Sequence, residues 1–320
     1  MPKIALVARS VRQEADGVRS FRFERPDGGA LDSWSPGAHL EFTLPSGLVR
    51  QYSLCGNPED RCSYVVAVLD QPNGRGGSRE FHDRVTPGTM VSVRGPRNHF
   101  PLVDADSYLF IAGGIGITPI LPMVRSVAKA GKEFRTIYGG RALDSMAFRD
   151  EIGGYAAAAI LIPEDTAGRI DIGGELDRCP PGTQVYCCGP ESLLRAVQVA
   201  CAVDPRVGGM HFERFGSAVP VVVERPASLV GHDTFEVELA NTGVTITVGG
   251  DSSILDKVLE VVPGQPWACR EGYCGTCETK VISGEPEHAD DILSTEERAS
   301  NTVMMICVGR SRSRRLVLDI

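Results

Sequence analysis

Four cysteines near the C-terminal end have the clearest chemistry in this chain. Cys269-Arg-Glu-Gly-Tyr-Cys274-Gly-Thr-Cys277 is a C-x4-C-x2-C string, and Cys307 follows on what reads as a later strand. A [2Fe–2S] cluster needs four thiolates, and this spacing supplies three from one loop and the fourth from outside it. Gly272 and Gly275 let that loop turn tightly and aim amide N–H groups at the sulfurs. Zinc is the competing occupant, but it usually draws on two separated C-x2-C or His pairs, and only one such pair is present. No histidine lies in the loop, which excludes a Rieske centre there.

A second chemical signal is Gly113-Gly-Ile-Gly-Ile-Thr-Pro119, between an apolar run and a helical stretch. Glycines at Gly114 and Gly116 let backbone approach a phosphate, and the helix start, with Thr118 and with Pro119 in its first turn, offers N–H donors. The loop lacks the third glycine of G-x-G-x-x-G. The next strand ends in Tyr138-Gly-Gly-Arg141 rather than an acidic residue, so an ordinary Rossmann dehydrogenase is disfavoured. A plain tight turn also fits the loop alone. Cys188-Gly189-Pro190 starts a second strand-to-helix turn that can face the first, and Phe212-Glu-Arg-Phe215 closes the segment with aromatic residues.

The third signal is Arg50-Gln-Tyr52-Ser53-Leu54. Tyr52 can stack on a flavin ring, Ser53 can hydrogen-bond near its N5, and Arg50 can pair with phosphate. So short a string also arises by chance. Gly74-Arg-Gly76-Gly77-Ser78 reads as a helix start cradling phosphate, with a flexible turn as the bland alternative.

Three kinds of element must position these groups. Up to about residue 104, short alternating runs such as His39–Leu44 and Ser63–Leu69, punctuated by Gly and Pro, predict an antiparallel barrel. Residues 105–223 alternate strands (Ser107–Ala112, Phe134–Tyr138, Ala157–Ile162, Gln184–Cys188) with helices (Thr118–Ala130, Met146–Ile152, Glu191–Val203), predicting a parallel sheet with covered faces. Residues 224–234 read as a linker, and 235–320 as a small α+β unit. That last unit has 14 Asp/Glu against 8 Lys/Arg in a chain whose net charge is −8. Its acidity argues against nucleic acid and suits either solubility or steering toward a basic partner. The run Arg310, Arg312, Arg314 and Arg315 stands against this trend, as a solvated strand edge or a contact surface.

The remaining six cysteines are expected to be mostly small buried hydrophobes. With no signal peptide and no apolar span of transmembrane length, a cytoplasmic protein that neither crosses nor binds a membrane is expected.

Over its last 85 or so residues the chain resembles plant-type ferredoxins, which have a β-grasp fold. The two earlier segments resemble the flavin barrel and pyridine-nucleotide domain of the ferredoxin–NADP reductase superfamily. The order flavin, nicotinamide, [2Fe–2S] resembles that of phthalate dioxygenase reductase-type oxygenase reductases, such as the vanillate O-demethylase reductases, along essentially the whole chain. The resemblance implies FMN, with FAD as second choice, and electron flow from NADH through FMN and the cluster to a terminal Rieske-type oxygenase. NADH is favoured over NADPH because Arg141 has no clear second cation to share a 2′-phosphate. A cytochrome P450 or another acceptor, or a redox sensor without turnover, are the alternatives. A monomer is expected.

Overall fold

The computed structural model describes residues 3–74, 76–155, 157–215 and 234–320. Contacts divide the chain into two compact units, separated after Phe215. The linker expected at 224–234 lies, apart from Thr234, outside the described residues.

The first unit opens with six strands: β1 (Ile4–Ala15), β2 (Val18–Glu24), β3 (Ala38–Thr43), β4 (Val49–Ser53), β5 (Tyr64–Leu69) and β6 (Met90–Asn98). They pair antiparallel in the order β4-β3-β6-β1-β2-β5, and an antiparallel bridge between Leu54 and Val66 joins the two edges. The alternation has a plain cause. Phe21 and Phe23 point inward on β2 while Arg22 points out, and Leu40 and Phe42 do the same on β3. Helix α1 (Gly77–Arg84) plugs the interior with Phe81, whose ring lies 4.8 Å from Phe21 and 5.2 Å from Phe42.

A parallel sheet follows, built from β7 (Ser107–Gly113), β8 (Glu133–Gly140), β9 (Ala159–Pro163), β10 (Thr183–Cys188) and β11 (Val207–Glu213) in the order β11-β10-β7-β8-β9. Between them run α2 (Ile117–Lys129), α3 (Arg149–Gly153), α4 (Glu164–Ala167), α5 (Ile172–Leu176) and α6 (Glu191–Val203). Every residue of β7 is buried, because Tyr108 and Phe110 pack with α2 on one face and Leu109 and Ile111 with α6 on the other. That explains its unbroken apolar run. The helix expected over Met146–Ile152 shortens to Arg149–Gly153. Phe148 takes a left-handed φ of 58°, and Ala147 is instead buried against Val18, Cys55 and Ala67 of the barrel.

The second unit contains β12 (Phe235–Leu239), β13 (Val244–Val248), α7 (Ile254–Val261), β14 (Glu278–Ser283), β15 (Pro286–Glu287), α8 (Thr295–Ser300), β16 (Val303–Met305), β17 (Arg310–Ser311) and β18 (Arg315–Leu318). A five-stranded sheet in the order β13-β12-β18-β14-β16 sets the last strand parallel to the first, the β-grasp arrangement. Helix α7 starts with a Ser253–Asp256 capping box and buries Ile254, Leu255 and Val258 in the core. Arg310 is spent within this unit: it lies 5.1 Å over the Phe235 ring and donates to the carbonyls of Ser252 and Gly249. Arg315 pairs with Glu238 at 2.5 Å, while Arg312 and Arg314 are exposed.

Candidate functional site

The flavin-type residues converge where β4 meets α1. A Cβ on Gly77 would lie 2.7 Å from Cγ and 2.9 Å from Cδ of Arg50, so only glycine lets this arginine rest on the helix start. Gly76, at φ 80°, turns the chain into α1, whose first amides have no side-chain cap. Ser78 Oγ accepts the Gln71 N–H at 3.1 Å and fixes the preceding turn. A guanidinium beside uncapped amides is a donor set suited to phosphate. Tyr52 packs edge-on to Phe81 at 4.9 Å, and among the described residues its buried hydroxyl has no hydrogen-bond partner. Leu54 is buried at the strand bridge. These residues fit a flavin phosphate at α1 and a ring near Tyr52.

The two glycine turns of the parallel sheet pack against each other. A Cβ on Gly116 would sit 2.5 Å from the Cys188 carbonyl carbon and 2.8 Å from the Gly189 nitrogen. One on Gly113 would meet Pro190 Cδ at 2.7 Å. Gly114 to Gly116 form a 3-10 turn that runs directly into α2, and Gly114 has φ 54°. Thr118 donates from Oγ1 to the Ile115 carbonyl at 3.0 Å, and Pro119 is buried in the first turn. Pro190 is the N-cap of α6. Arg141 is exposed just beyond β8, and Phe215 is exposed at the end of the described part of this unit. These close-packed glycine turns fit a nucleotide laid across the sheet edge.

One link joins the two sets. Ser53 Oγ donates to Glu213 Oε2 at 3.2 Å, tying the flavin-type strand to the end of β11. Burial pushes the Glu213 carboxyl up to about 8, and the Ser53 hydrogen bond opposes this. Burial also raises the Cys188 thiol, with the nearby Glu213 adding to the effect. Glu213 therefore holds its proton at neutral pH.

That raised value has a consequence for stability. The folded state binds the Glu213 proton more tightly than the unfolded chain, so the associated stability is complete below about pH 4.5 and is lost as pH rises through about 8. The thermal midpoint of the parent should therefore fall more steeply than that of Glu213→Gln between about pH 6 and pH 9. Parallel curves in a melting series would remove this role for Glu213.

In the second unit all four ligand-type cysteines are buried. Cys307 lies in the turn just after β16, not on a strand as its spacing suggested, because pairing with β14 ends at Met305. The four thiols lie close enough to interact in pairs, Cys274 with Cys269, Cys269 with Cys307 and Cys307 with Cys277. Hydrogen bonding with Cys274 and then Cys307 lowers the Cys269 thiol, and bonding with Cys307 lowers Cys277. The Glu271 amide donates to Cys269 Sγ at 3.3 Å. Among the described residues no group of three or more His, Cys, Asp or Glu surrounds a point as a single metal ion requires. A string of two thiol pairs, with amides aimed at sulfur, has the donor chemistry of a two-iron cluster.

The loop is held from both ends. Arg270 adopts φ 65°, a conformation that ordinarily costs a non-glycine residue about 1–2 kcal/mol. Its guanidinium stacks 4.2 Å over Trp267 and bonds Asp256 at 2.7 Å, which offsets that cost. Gly272, at φ 78°, sits so close that a Cβ would be 2.7 Å from Val308 Cγ2 and 3.0 Å from Asp290 Cα. The buried Asp290 carboxylate accepts the Ile292 and Leu293 amides at 3.3 and 2.9 Å. Asp290 belongs to no spaced motif, and Glu213 lies within the Phe212–Phe215 segment, where only the aromatic residues carry a reading from sequence.

Of the other six cysteines, five are buried and Cys62 is exposed. No helix among the described residues is long and apolar enough to cross a membrane.

Fold and site together have the marks of an iron–sulfur oxidoreductase, and comparison with known proteins narrows this class. Residues 237–311 match the 2Fe-2S iron-sulfur cluster binding domain, and 110–160 match the oxidoreductase NAD-binding domain. The reductase subunit of the tert-butanol monooxygenase / tert-amyl alcohol desaturase of Aquincola tertiaricarbonis is 37% identical over 100% of this chain and 97% of its own. The solved structure of phthalate dioxygenase reductase, described as a modular structure for electron transfer from pyridine nucleotides to [2Fe-2S], aligns with a TM-score of 0.71 at 34% identity. It covers 99% of this chain and 98% of that one. An intact type IV self-sufficient cytochrome P450 monooxygenase aligns with a TM-score of 0.85 at 36% identity; this chain spans 41% of its length.

The chain belongs to the phthalate dioxygenase reductase family, the reductase components of oxygenase systems. Its matched domains are those that bind a [2Fe–2S] cluster and NAD.

Proposed function

We propose that this reductase takes electrons from NADH, rather than NADPH, and delivers them singly to a terminal Rieske-type oxygenase. Bound FMN accepts electron pairs as hydride and, with the [2Fe–2S] cluster, passes them on one at a time. The observation that carries this reading is the Ser53–Glu213 hydrogen bond, which ties the flavin-type strand to the nicotinamide sheet within one compact unit.

The residues have separate tasks. Arg50, Gly76, Gly77 and Ser78 hold the flavin phosphate, and Tyr52, Ser53 and Leu54 border its ring. Gly114, Gly116, Thr118 and Pro119 seat the dinucleotide phosphates against Cys188, Gly189 and Pro190, with Phe215 near the ring face and Arg141 at the ribose end. Cys269, Cys274, Cys277 and Cys307 hold the cluster. The stretch Gly139–Phe148 carries one arginine before α3, where a 2′-phosphate generally calls for a cationic cluster. Ten cysteines with no disulfide among the described residues suit a reducing cytoplasm. The acidic second unit suits a basic docking face on the partner.

The test is reconstituted turnover. Purified reductase with NADH should drive product formation by a candidate Rieske oxygenase, with NADPH a poor substitute. Equal use of both nucleotides would overturn the donor assignment. A cytochrome P450 is the second reading, favoured by the alignment with a self-sufficient P450. Turnover of a P450 in place of the oxygenase would decide for it.

Removing the phosphate cation should also be visible. Arg50→Ala gives up charge-assisted hydrogen bonds, so FMN affinity should fall about tenfold to a hundredfold. Flavin content after dialysis measures it, and unchanged content would count against the phosphate role.

A further inference from the structure

Arg125 lies on the third turn of α2, outside the glycine turns and the Arg50–Leu54 string, and its guanidinium makes four hydrogen bonds at the seam between barrel and parallel sheet. Its Nη1 donates to the carbonyls of Cys55 at 2.7 Å and Gly56 at 2.8 Å. Its Nε and Nη2 donate to the two carboxylate oxygens of Glu151, at 2.5 and 2.7 Å. One planar guanidinium thus joins three pieces of chain: α2, α3 and the backbone directly after Leu54. One helical turn further on, Lys129 pairs with Glu59 of the same barrel loop. Beneath the polar clasp, Val18, Cys55 and Ala67 of the barrel pack against Ala147, with Ile115 and Phe148 alongside.

We infer that Arg125 is a positioning residue for hydride transfer, setting the registration of the nicotinamide-bearing helix against the flavin-bearing strand. This rests on the cofactor placement proposed above. The helix that Arg125 rides begins at the Gly114–Gly116 turn, and the carbonyls it grips follow Tyr52, Ser53 and Leu54 directly. An error in the seating of one element on the other becomes an error in donor–acceptor distance. Hydride transfer is steep in that distance, and a misplacement of about 1 Å can cost a hundredfold.

Stability alone does not account for the clasp. The Arg125 and Glu151 side chains keep 26% and 39% of their surface exposed, and ion pairs in contact with water contribute little, so a guanidinium with four directed bonds is a weak glue. Its distinctive property is geometric. The planar fork fixes two carbonyls and a carboxylate at set angles, which a lysine cannot reproduce. The apolar patch below holds the lobes together without specifying their registration to that degree.

The test is anaerobic stopped-flow reduction of the flavin by NADH in the full-length holoprotein. In Arg125→Gln the limiting rate at saturating NADH should fall about tenfold or more, with flavin content unchanged. The Kd for NADH should move by less than about threefold, the split expected when alignment rather than binding is lost. Deuterium at the transferred position of NADH should give a larger isotope effect in the variant, and Arg125→Lys should recover only part of the rate. A merely structural role would move neither the isotope effect nor the rate-against-Kd split.

A limiting rate within about twofold of the parent, or a change confined to Kd, overturns the inference. If Arg125→Gln sheds its flavin, Glu151→Gln decides, because it leaves both carbonyl bonds in place. An intermediate loss of rate supports the positioning role and a parental rate overturns it. Failure of the underlying cofactor placement looks different: the parent itself would carry no flavin or would not be bleached by NADH.

Discussion

Cys274→Ser should abolish electron delivery to a terminal oxygenase while leaving NADH-driven reduction of ferricyanide largely intact. Cys274 is buried, and its Sγ approaches the Thr276 hydroxyl at 3.5 Å. An alkoxide is a far poorer ligand for iron in a cluster than a thiolate, and serine binds a proton too tightly to supply one near neutral pH. The loop then loses one of its four anchors. Arg270 is held at φ 65° by contacts within the same unit, so the loop ends should stay in place while the site loses its metal. Iron and acid-labile sulfide analysis should show depletion, and the low-temperature EPR signal of the NADH-reduced protein should vanish. Ferricyanide takes electrons directly from a reduced flavin, so that activity reports on the first unit alone. Survival of both activities would show that electrons leave by another route.

The variant also marks how far residue patterns can be read unaided. Metal ligation by Cys269, Cys274 and Cys277 is a local affair, with the ligands within nine residues of one another, so spacing exposes it. The strand around Phe21 is legible because Phe21 and Phe23 are buried while Arg22 between them is exposed; the strands around Leu40 and Val66 are covered on both faces, with His39, Glu41 and Ala67 buried as well. The apolar run of β7 was legible as a fully covered strand for the opposite reason. What escaped is what depends on distant partners. Glu213 meets Ser53 across 160 positions, and Arg125 meets Cys55 across 70, so neither pairing can be read from local spacing. Strand β11 escaped because its Gly208-Gly209 pair weakens any alternation; a Cβ on Gly208 would lie 2.7 Å from the Gly182 carbonyl carbon, so close packing against backbone selects glycine there. Cys307 was placed on a strand because its neighbours Met304 to Val308 are apolar. Met304 and Met305 are on β16, whereas Ile306, Cys307 and Val308 line the core from the turn that follows it.

Gly116→Ala should produce the other large loss, and on the donor side. In an open glycine turn an added methyl would be harmless, so the outcome depends on what Gly116 faces. It faces backbone. The new Cβ would lie 2.5 Å from the Cys188 carbonyl carbon and 2.8 Å from the Gly189 nitrogen, and neither can rotate away as a side chain would. The conformation itself suits alanine, since φ at Gly116 is −61°, so the cost is steric and not one of backbone strain. Overpacking of this kind typically costs about 1–3 kcal/mol. To relieve it, the Cys188–Pro190 turn must move away from α2, and that separation opens the two turns proposed to grip the dinucleotide. Flavin bleaching by NADH should slow by about a hundredfold or more, as expected when reacting groups lose alignment and binding together. Flavin content should remain near that of the parent, because Arg50, Gly77 and α1 belong to the barrel. Reduction by dithionite should still bleach the flavin and develop the cluster EPR signal, which separates a lost nicotinamide site from a collapsed protein. NADH reduction at the parental rate would mean that the two glycine turns serve packing alone and that the nucleotide binds elsewhere on the sheet.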